Sequence, residues 1–501
     1  MAVQIDVSEM TLNEMISAMR AETLSCLDLV DLYLRRIEAY DKSGPAINSI
    51  LAINPRAREE AEERDAQLRN GAALGPLHGI PVIVKDQLET RGITTTFGSA
   101  AFRDHVPSRD AAVIEKLNAA GAIILAKTAM SDFATSWFGL SSAAGETKNP
   151  YALDRDPGGS SSGTGAGVAA GFGAVGIGED TGGSIRVPSS FNNLVGIRVT
   201  TGLISRRGMS PLVVFQDTAG PMARSVRDAV AVLDCITGFD PADPFTASTA
   251  CRRQPGKYED CLVNSNLRGM RIGVLRQAFG PEDDPDARSV SEVINDALAR
   301  MARMEATLID PVAIADLSHH IDETTLYFLR SKFDINRFLS SLPDAPYTSI
   351  EDICASGLFQ PQISLFREIA EGPPDPTGHP DYFRKVASRE TFQREILRTF
   401  ASDDLDVIAY PTVRIPPPRS QDVIGRSSTA SSATLFPTNT VIASHATLPA
   451  VSLPAGFTSD GLPVGIELVG KPFDEGTILR VAYALERDLQ PRRRPATTPA
   501  L

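Results

Sequence analysis

Short apolar runs alternate with helical patterns along most of the chain. Residues 9–40 have the periodicity of amphipathic helices, and Ser25 stands where a helix cap is expected. Residues 82–84 and 122–126 are continuous apolar runs typical of buried strands, and residues 111–120 between them have a helical pattern. A strand, a helix and a strand with short connections predict a parallel α/β arrangement.

The same alternation continues towards the C-terminus. Further strands are predicted at 194–197, 271–275, 407–410 and 451–453, and further helices at 58–69, 225–234, 289–303 and 476–487. Residues 313–400 have a mostly helical pattern, and the end of the chain at 490–501 is expected to be frayed. The pattern predicts one large α/β unit with a helical excursion, and not three independent domains.

Composition narrows the class of protein. The chain has 501 residues, and 42% of them are hydrophobic, a fraction too high for a disordered chain. Its net charge of -13 argues against non-specific nucleic-acid binding. Its five cysteines are scattered and its six histidines lack metal-ligand spacing, so we expect a reducing compartment and neither a metal nor a cofactor. The sequence contains no apolar leader and no membrane-length apolar stretch, so we expect a soluble, cytoplasmic protein.

A dense block of glycine and serine at 158–163 is the first candidate site. It permits three interpretations: a flexible linker, a phosphate-binding loop supported by the GxGxxG spacing of 171–176, or a nucleophile elbow of the form GxSxG. The elbow would need a later histidine, His379 or His445, and a strand directly before it. Residues 151–157 make a poor strand, and a linker is not expected between strand-like runs and an alanine-rich helix start.

A further interpretation combines this block with two other segments. Ser184 follows paired glycines, and such a turn can direct neighbouring N–H groups to one point, as in an oxyanion hole. Lys85 follows the apolar run 80–84 in a chain with only nine lysines among 49 basic residues. If Lys85 is buried, desolvation lowers its pKa and lets the neutral amine act as a base, which an arginine could not do.

Several ordered motifs make the sequence resemble the amidase signature family. They are HGIPVIVKD at 78–86, GGSSSG at 158–163, DTGGSIRVP at 180–188, DTAGPMARSVRD at 217–228, LPAVSLPAG at 448–456 and GLPVG at 461–465. The resemblance covers residues 10–240 and 405–487, while the region between them matches only loosely.

The resemblance implies an α/β/α fold with a mixed, mostly parallel central sheet and a Ser-Ser-Lys catalytic triad. By motif, Ser184 is the nucleophile, Ser160 is the bridging serine that follows a cis peptide bond, and Lys85 is the base. The oxyanion hole is implied at the backbone N–H groups of Thr181, Gly182, Gly183 and Ser184.

The resemblance also suggests roles for residues near the triad in sequence or in the expected pocket. Asp180 and Arg186 are expected to form a supporting ion pair across the nucleophile turn. Glu179 replaces the small hydroxylated residue that is usual in the family. Met130 and Trp137 are candidates for the wall of the substrate pocket.

The activity implied by the resemblance is hydrolysis of the C–N bond of a small aryl or alkyl carboxamide through an acyl-enzyme. Alternatives within the family are a carbamate or urea-type hydrolase and the glutaminase subunit of an amidotransferase. A catalytically silent nucleotide-binding module is the alternative from another class. The expected partner is a small-molecule amide or carbamate, without nucleic acid or membrane, and the family suggests a homodimer.

The chain is expected to divide into segments of one architecture. These segments are an N-terminal helical part at 1–70, the signature core with the triad at 71–240, a pocket-shaping excursion at 241–404, the rest of the core at 405–489 and a flexible tail at 490–501.

Overall fold

An eleven-stranded sheet forms the centre of the computed structural model, which describes residues 6–251, 256–263, 266–426, 436 and 438–501. The strands are β1 (Ile50–Ile53), β2 (Pro81–Lys85), β3 (Ile123–Thr128), β4 (Leu140–Ser141), β5 (Gly145–Glu146), β6 (Val175–Asp180), β7 (Val195–Arg198), β8 (Thr218–Ala223), β9 (Arg271–Leu275), β10 (Thr307–Val312), β11 (Val407–Pro411), β12 (Ala450–Phe457) and β13 (Pro463–Val469). Strands β4 and β5 form a separate two-stranded sheet.

Helices pack around the central sheet. They are α1 (Leu12–Arg20), α2 (Cys26–Tyr40), α3 (Ala57–Arg69), α4 (Ala112–Ala119), α5 (Ser162–Ala169), α6 (Arg186–Phe191), α7 (Val226–Ile236), α8 (Pro285–Arg303), α9 (Leu317–Thr324), α10 (Tyr327–Leu339), α11 (Ile350–Ser356), α12 (Ser364–Glu371), α13 (Tyr382–Ser402), α14 (Ser420–Arg426), α15 (Val441–His445) and α16 (Glu475–Leu489). The predicted cap of α2 is confirmed, since the Ser25 hydroxyl accepts the Asp28 N–H at 2.9 Å.

The central sheet is mixed, with the order β1-β3-β2-β6-β8-β7-β12-β13-β11-β9-β10. The pairs β3–β2, β2–β6, β11–β9 and β9–β10 are parallel, and the other six pairs of this sheet are antiparallel. The predicted α/β/α unit with a mixed sheet is confirmed. Parallel pairs are fewer than expected because short turns, such as residues 458–462 between β12 and β13, connect only antiparallel neighbours.

Two strands at the centre of the sheet are not evident from the apolar pattern. Strands β6 and β8 contain glycine, proline and polar residues, which normally weaken a strand. In β6, a Cβ on Gly176 would lie 2.4 Å from Thr164 Cγ2 on α5. Gly176 therefore allows α5 to pack closely on the sheet. The glycines also interrupt the apolar run, so a hydropathy pattern does not show this strand.

Strands β2 and β6 are parallel neighbours, so their carboxyl ends reach the same edge of the sheet. Lys85 ends β2 and Asp180 ends β6 at this edge. Helix α5 begins there as well, because the Gly163 N–H donates to the carbonyl of Ala129, which directly follows β3. The fold thus brings the three central motifs of the sequence to one place.

The helical excursion predicted at 313–400 is confirmed as α9 to α13. Apolar side chains of α10, α11 and α12 pack with Phe97, Phe102 and Phe133 in a hydrophobic cluster of their own. This packing holds the excursion beside the loop that follows β3. Within the described ranges, no helix is both long and apolar enough to span a bilayer.

The two ends of the chain lie together. Arg492 forms an ion pair with Glu9 at 2.7 Å, and Arg36 donates to the carbonyl of Thr498 at 3.0 Å. The segment 490–501 is therefore held against the N-terminal part, in contrast to the frayed tail that was expected. The reason is that its arginines and carbonyl groups find charged partners on α2 and in the segment before α1.

Candidate active site

Lys85 is fully buried at the end of β2. Its Nζ lies 2.8 Å from Ser160 Oγ, 3.0 Å from Glu179 Oε2 and 3.3 Å from the Glu179 carbonyl oxygen. The side chains of Lys85 and Glu179 are both 0% exposed. Burial lowers the pKa of Lys85 below its ordinary value, although the Glu179 carboxylate opposes this shift. The arrangement can present an amine to a serine hydroxyl away from bulk solvent.

The glycine-serine block forms the turn that carries Ser160. The Gly159–Ser160 peptide bond is cis, and α5 begins with Ser162. The Ser161 N–H donates to the Ser184 carbonyl at 3.2 Å. The turns that carry Ser160 and Ser184 therefore lie directly against each other.

Ser184 lies in a turn between β6 and α6 that requires glycine at two positions. A Cβ on Gly182 would lie 2.1 Å from the Tyr327 hydroxyl, and a Cβ on Gly183 would lie 1.9 Å from Thr440 Oγ1. Gly183 also has φ +126°, a conformation that side chains other than glycine rarely adopt. The turn is therefore enclosed by packing, while Ser184 remains at the pocket surface, 4% exposed.

The backbone N–H groups of this turn differ in their partners. The Gly183 N–H donates to Asp180 Oδ1 at 2.9 Å, so one of the four expected oxyanion donors is engaged within the protein. Among the described residues, no acceptor is hydrogen-bonded to the N–H groups of Thr181, Gly182 or Ser184. These three groups are available to a ligand.

Replacing Gly183 with alanine is expected to lower kcat at least about 100-fold, because small displacements of reacting groups have effects of this size. The added methyl group would collide with Thr440 and would have to adopt an unfavourable backbone conformation, so Ser184 would move. Steady-state hydrolysis of a neutral amide, the activity that the sequence resemblance implies, measures the effect. Gly461→Ala is the matched control, since Gly461 has φ +79° but no atom within 4 Å of an added Cβ. Equal kcat for Gly183→Ala and the unmodified enzyme would contradict the prediction.

Asp180 and Arg186 form a buried ion pair behind the turn that carries Ser184. Arg186 Nε lies 3.1 Å from Asp180 Oδ2, and Arg198 Nη1 lies 2.9 Å from Asp180 Oδ1. Burial alone would raise the pKa of Asp180, but the two guanidinium groups lower it well below its ordinary value. Arg186 also pairs with Glu467 on β13. Asp180 is thus a fixed carboxylate that braces the turn from inside.

A pocket opens at Ser184. Trp137 lies in its wall and donates through Nε1 to the Gly182 carbonyl at 3.2 Å. Met130 lies elsewhere: it is 1% exposed and packs in the hydrophobic cluster with Phe133, so the structure places it in the core and not in the pocket. The residues that line the pocket are Ala134, Thr135, Ser136, Trp137, Phe138, Thr181, Gly182, Ser184, Leu212, Tyr327, Ile363, Ser364 and Leu365.

Two residues of the site were not found by sequence reasoning. The Thr440 hydroxyl donates to the Gly182 carbonyl at 2.7 Å, and the Tyr327 ring stands edge-on to Trp137 with ring centroids 6.3 Å apart. Tyr327 begins α10 and Thr440 precedes α15, so both are distant in sequence from the motifs. The paired glycines were an indirect signal, because a turn that excludes Cβ atoms must have something packed against it.

The other interpretations of the glycine-rich block fit the structure less well. Gly176 lies inside β6, so residues 171–176 do not form a helix-entry loop for phosphate. Ser161, the central serine of the elbow motif, donates its hydroxyl to a strand carbonyl at 3.2 Å. His379 and His445, the candidate bases for that motif, make their hydrogen bonds to other segments.

Comparisons with known proteins agree with this geometry. The Amidase family model matches residues 28–479. A glutamyl-tRNA(Gln) amidotransferase subunit from Anaeromyxobacter dehalogenans is 34% identical, and the alignment covers 98% of each chain. The native peptide amidase of Stenotrophomonas maltophilia is 33% identical with a TM-score of 0.85, covering 98% of this chain and 99% of that chain. The corresponding amidotransferase subunit from Thermotoga maritima is 25% identical with a TM-score of 0.73, covering 97% and 96%.

The family match extends over nearly the whole chain, including the 245–400 region that the sequence motifs matched only loosely. It is consistent with the site geometry, in which a buried lysine and two turns, one carrying Ser160 and the other carrying Ser184, meet at one sheet edge. The chain therefore belongs to the amidase signature family, and it is a hydrolase of carbon–nitrogen bonds in amides.

Proposed function

We propose that this chain is a free-standing amidase of small, uncharged aryl or alkyl carboxamides, with Ser184 as nucleophile, Ser160 as bridging serine and Lys85 as base. The observation that carries the proposal is the pocket at Ser184, whose described lining residues include no charged side chain. Aromatic walls from Trp137 and Tyr327 suit an apolar acyl group.

Acylation begins at the buried amine. Neutral Lys85 takes a proton from Ser160 across the 2.8 Å contact, and Ser160 takes the proton of Ser184 Oγ. The freed electron pair on Ser184 Oγ attacks the amide carbonyl carbon, and the carbonyl oxygen becomes negatively charged. The N–H groups of Thr181, Gly182 and Ser184 stabilise this oxyanion, each donor contributing roughly 3–4 kcal/mol in the transition state.

Collapse of the tetrahedral intermediate breaks the C–N bond. The Lys85 ammonium returns its proton through Ser160 to the leaving nitrogen, which departs as ammonia or an amine and leaves an ester on Ser184. A water molecule then gives up a proton along the same path and attacks the ester carbon. The carboxylic acid departs, and Ser184 and Lys85 return to their starting protonation states.

Charge complementarity separates the candidate substrates. Free glutamine carries a carboxylate and an ammonium group at neutral pH, and burying either without an opposite charge is costly. The described pocket walls offer neutral hydroxyl groups, such as those of Thr135 and Ser136, and apolar surface. A neutral amide meets these walls without an unpaired charge, and a neutral carbamate would be accepted by the same chemistry.

The purified chain alone is expected to hydrolyse benzamide with a kcat/KM at least about 100-fold above that for glutamine, because sites discriminate strongly against buried, unpaired polar groups. Ammonia release from benzamide, hexanamide, a phenyl carbamate and glutamine under identical conditions measures this preference. Faster hydrolysis of the carbamate would reassign the substrate within the family. A preference for glutamine would contradict the proposal.

Two of the relatives named above are amidotransferase subunits, and they raise a second candidate, the glutaminase subunit of an amidotransferase. Such a protein works with a partner chain, whereas a free-standing amidase needs none. Glutamine hydrolysis that requires an added partner, together with inactivity towards neutral amides, would favour this candidate. The uncharged pocket supports the free-standing enzyme instead.

We also place the enzyme in the cytoplasm. Its five cysteines are free thiols, which is typical of a reducing compartment. The net charge of -13 suits an enzyme that acts on small molecules and not on nucleic acid.

A further inference from the structure

Glu179 introduces a carboxylate into the centre of the site, where its side chain is fully buried beside Lys85. Its Oε2 lies 3.0 Å from Lys85 Nζ, and its Oε1 accepts the Thr181 hydroxyl at 2.8 Å. Thr181 belongs to the turn that offers N–H groups to the oxyanion. One side chain therefore contacts both the base and the nucleophile turn.

The donor count at Lys85 gives the first consequence of this contact. A neutral amine has two N–H donors and one lone pair. The carboxylate and the carbonyl oxygen of Glu179, at 3.0 and 3.3 Å from Nζ, can accept both N–H groups. The lone pair is then directed at Ser160 Oγ, 2.8 Å away, which is the orientation that proton transfer requires.

The donor count at Thr181 gives the second consequence. Its hydroxyl has one proton but lies 2.8 Å from Glu179 Oε1 and 2.6 Å from Asp217 Oδ1. Two ionised carboxylates cannot both be satisfied by one proton, so one of these two groups is a carboxylic acid that donates to Thr181. Burial, reinforced by the Glu179 carboxylate, raises the pKa of Asp217 to about 7, so Asp217 is the member of the pair that holds this proton up to about neutral pH.

We infer that Glu179 is a positioning residue for the reaction: its ionised carboxylate aims the Lys85 lone pair at Ser160 and stabilises the ammonium formed by proton transfer. Asp217 keeps the proton that lets Thr181 bridge the two carboxyl groups. The inference deepens the proposed function and rests on the role of Lys85 as the base. It makes the strength of that base depend on a carboxylate outside the Ser-Ser-Lys triad.

Among the described charged groups around Lys85, Glu179 is the carboxylate that contacts its Nζ directly. Besides Glu179, the charged side chains that act on Lys85 are Asp180 and Asp217. Arg186 and Arg198 interact in turn with Asp180, and Asp334 and Arg389 interact with Asp217. Asp180 is paired with two arginines, and Asp217 is assigned as protonated. Loss of the Glu179 charge therefore removes the main stabilisation of the Lys85 ammonium.

The test is the pH profile of Glu179→Gln with a neutral amide as substrate. The variant retains the shape of the side chain but not its charge, so the Lys85 pKa falls. The acid limb of kcat/KM is expected to move to lower pH by about 1 unit or more. The plateau of kcat is expected to fall roughly 10- to 100-fold, because the amine becomes a weaker and less well oriented base. KM should change little, since Glu179 does not line the described pocket.

Glu486→Gln is the matched control, because the Glu486 carboxylate does not line the described pocket. It accepts the Val226 N–H, with 2.8 Å between the nitrogen and Oε1. Its pH profile should match that of the unmodified enzyme. Glu179→Thr replaces the carboxylate with a neutral hydroxyl and gives the same test if Glu179→Gln fails to fold. An unshifted acid limb in whichever variant folds would overturn the inference. Full activity of Lys85→Met would instead overturn the proposed function, so the two failures are distinguishable.

Discussion

Ser184→Ala is expected to lower kcat/KM by about 10⁴-fold or more, as loss of the nucleophile does in other acyl-transfer enzymes. Without Oγ, no acyl-enzyme can form, and the pocket and its N–H groups retain only a residual rate. Ser184 is a small side chain at the pocket surface, so the free energy of unfolding should change by less than about 1 kcal/mol. Hydrolysis rates and thermal unfolding of the variant measure the two effects separately.

Covalent trapping provides an independent measurement of the same prediction. A fluorophosphonate is expected to modify Ser184, as identified by peptide mapping, and to leave Ser184→Ala unmodified. Ser189→Ala is the control: this buried serine lies on the following helix, α6, and its hydroxyl has no hydrogen-bond partner among the described residues. Label on any other residue, or normal activity of Ser184→Ala, would show that the nucleophile has been misassigned.

The motifs of the proposed catalytic site could be read from the sequence because each one occupies consecutive residues at the end of a strand or in a turn. Lys85 stood out as a lysine after an apolar run, and Ser184 as a serine after paired glycines. The structure brings them together for a topological reason, since β2 and β6 are parallel neighbours that end at one edge. The apolar pattern predicted β2 but not β6, and it gave no sign of which strands pair antiparallel.

Other features depend on contacts between distant segments and have no local signal. Tyr327 and Thr440 close over the nucleophile turn from elements more than one hundred residues away. Glu179 was visible as a departure from the family pattern, but its contact with Lys85 appears only in three dimensions. Met130 resembles a pocket residue in sequence, yet the chain direction after β3 turns it into the core.

Lys85→Met is expected to lower kcat/KM by about 10³-fold or more, since no other buried amine contacts Ser160 in the described site. In the unmodified enzyme, kcat/KM should rise with pH as the amine loses its proton. The midpoint should lie below the ordinary lysine pKa of about 10.4, because burial lowers the pKa of Lys85. This rise of kcat/KM with pH should be absent from the residual activity of Lys85→Met.

Folding must be separated from catalysis in this variant, because Lys85→Met leaves Glu179 as an unpaired buried charge, at a cost of about 3–5 kcal/mol. The double variant Lys85→Met/Glu179→Gln removes that charge and should be folded but equally inactive. Lys127→Met is the matched control, since Lys127 is also fully buried but its Nζ lies 3.0 Å from Thr95 Oγ1 and does not contact Ser160. Lys127→Met should lose stability while the folded fraction retains its kcat. An active double variant, or equal loss of kcat in folded Lys127→Met, would exclude Lys85 as the base.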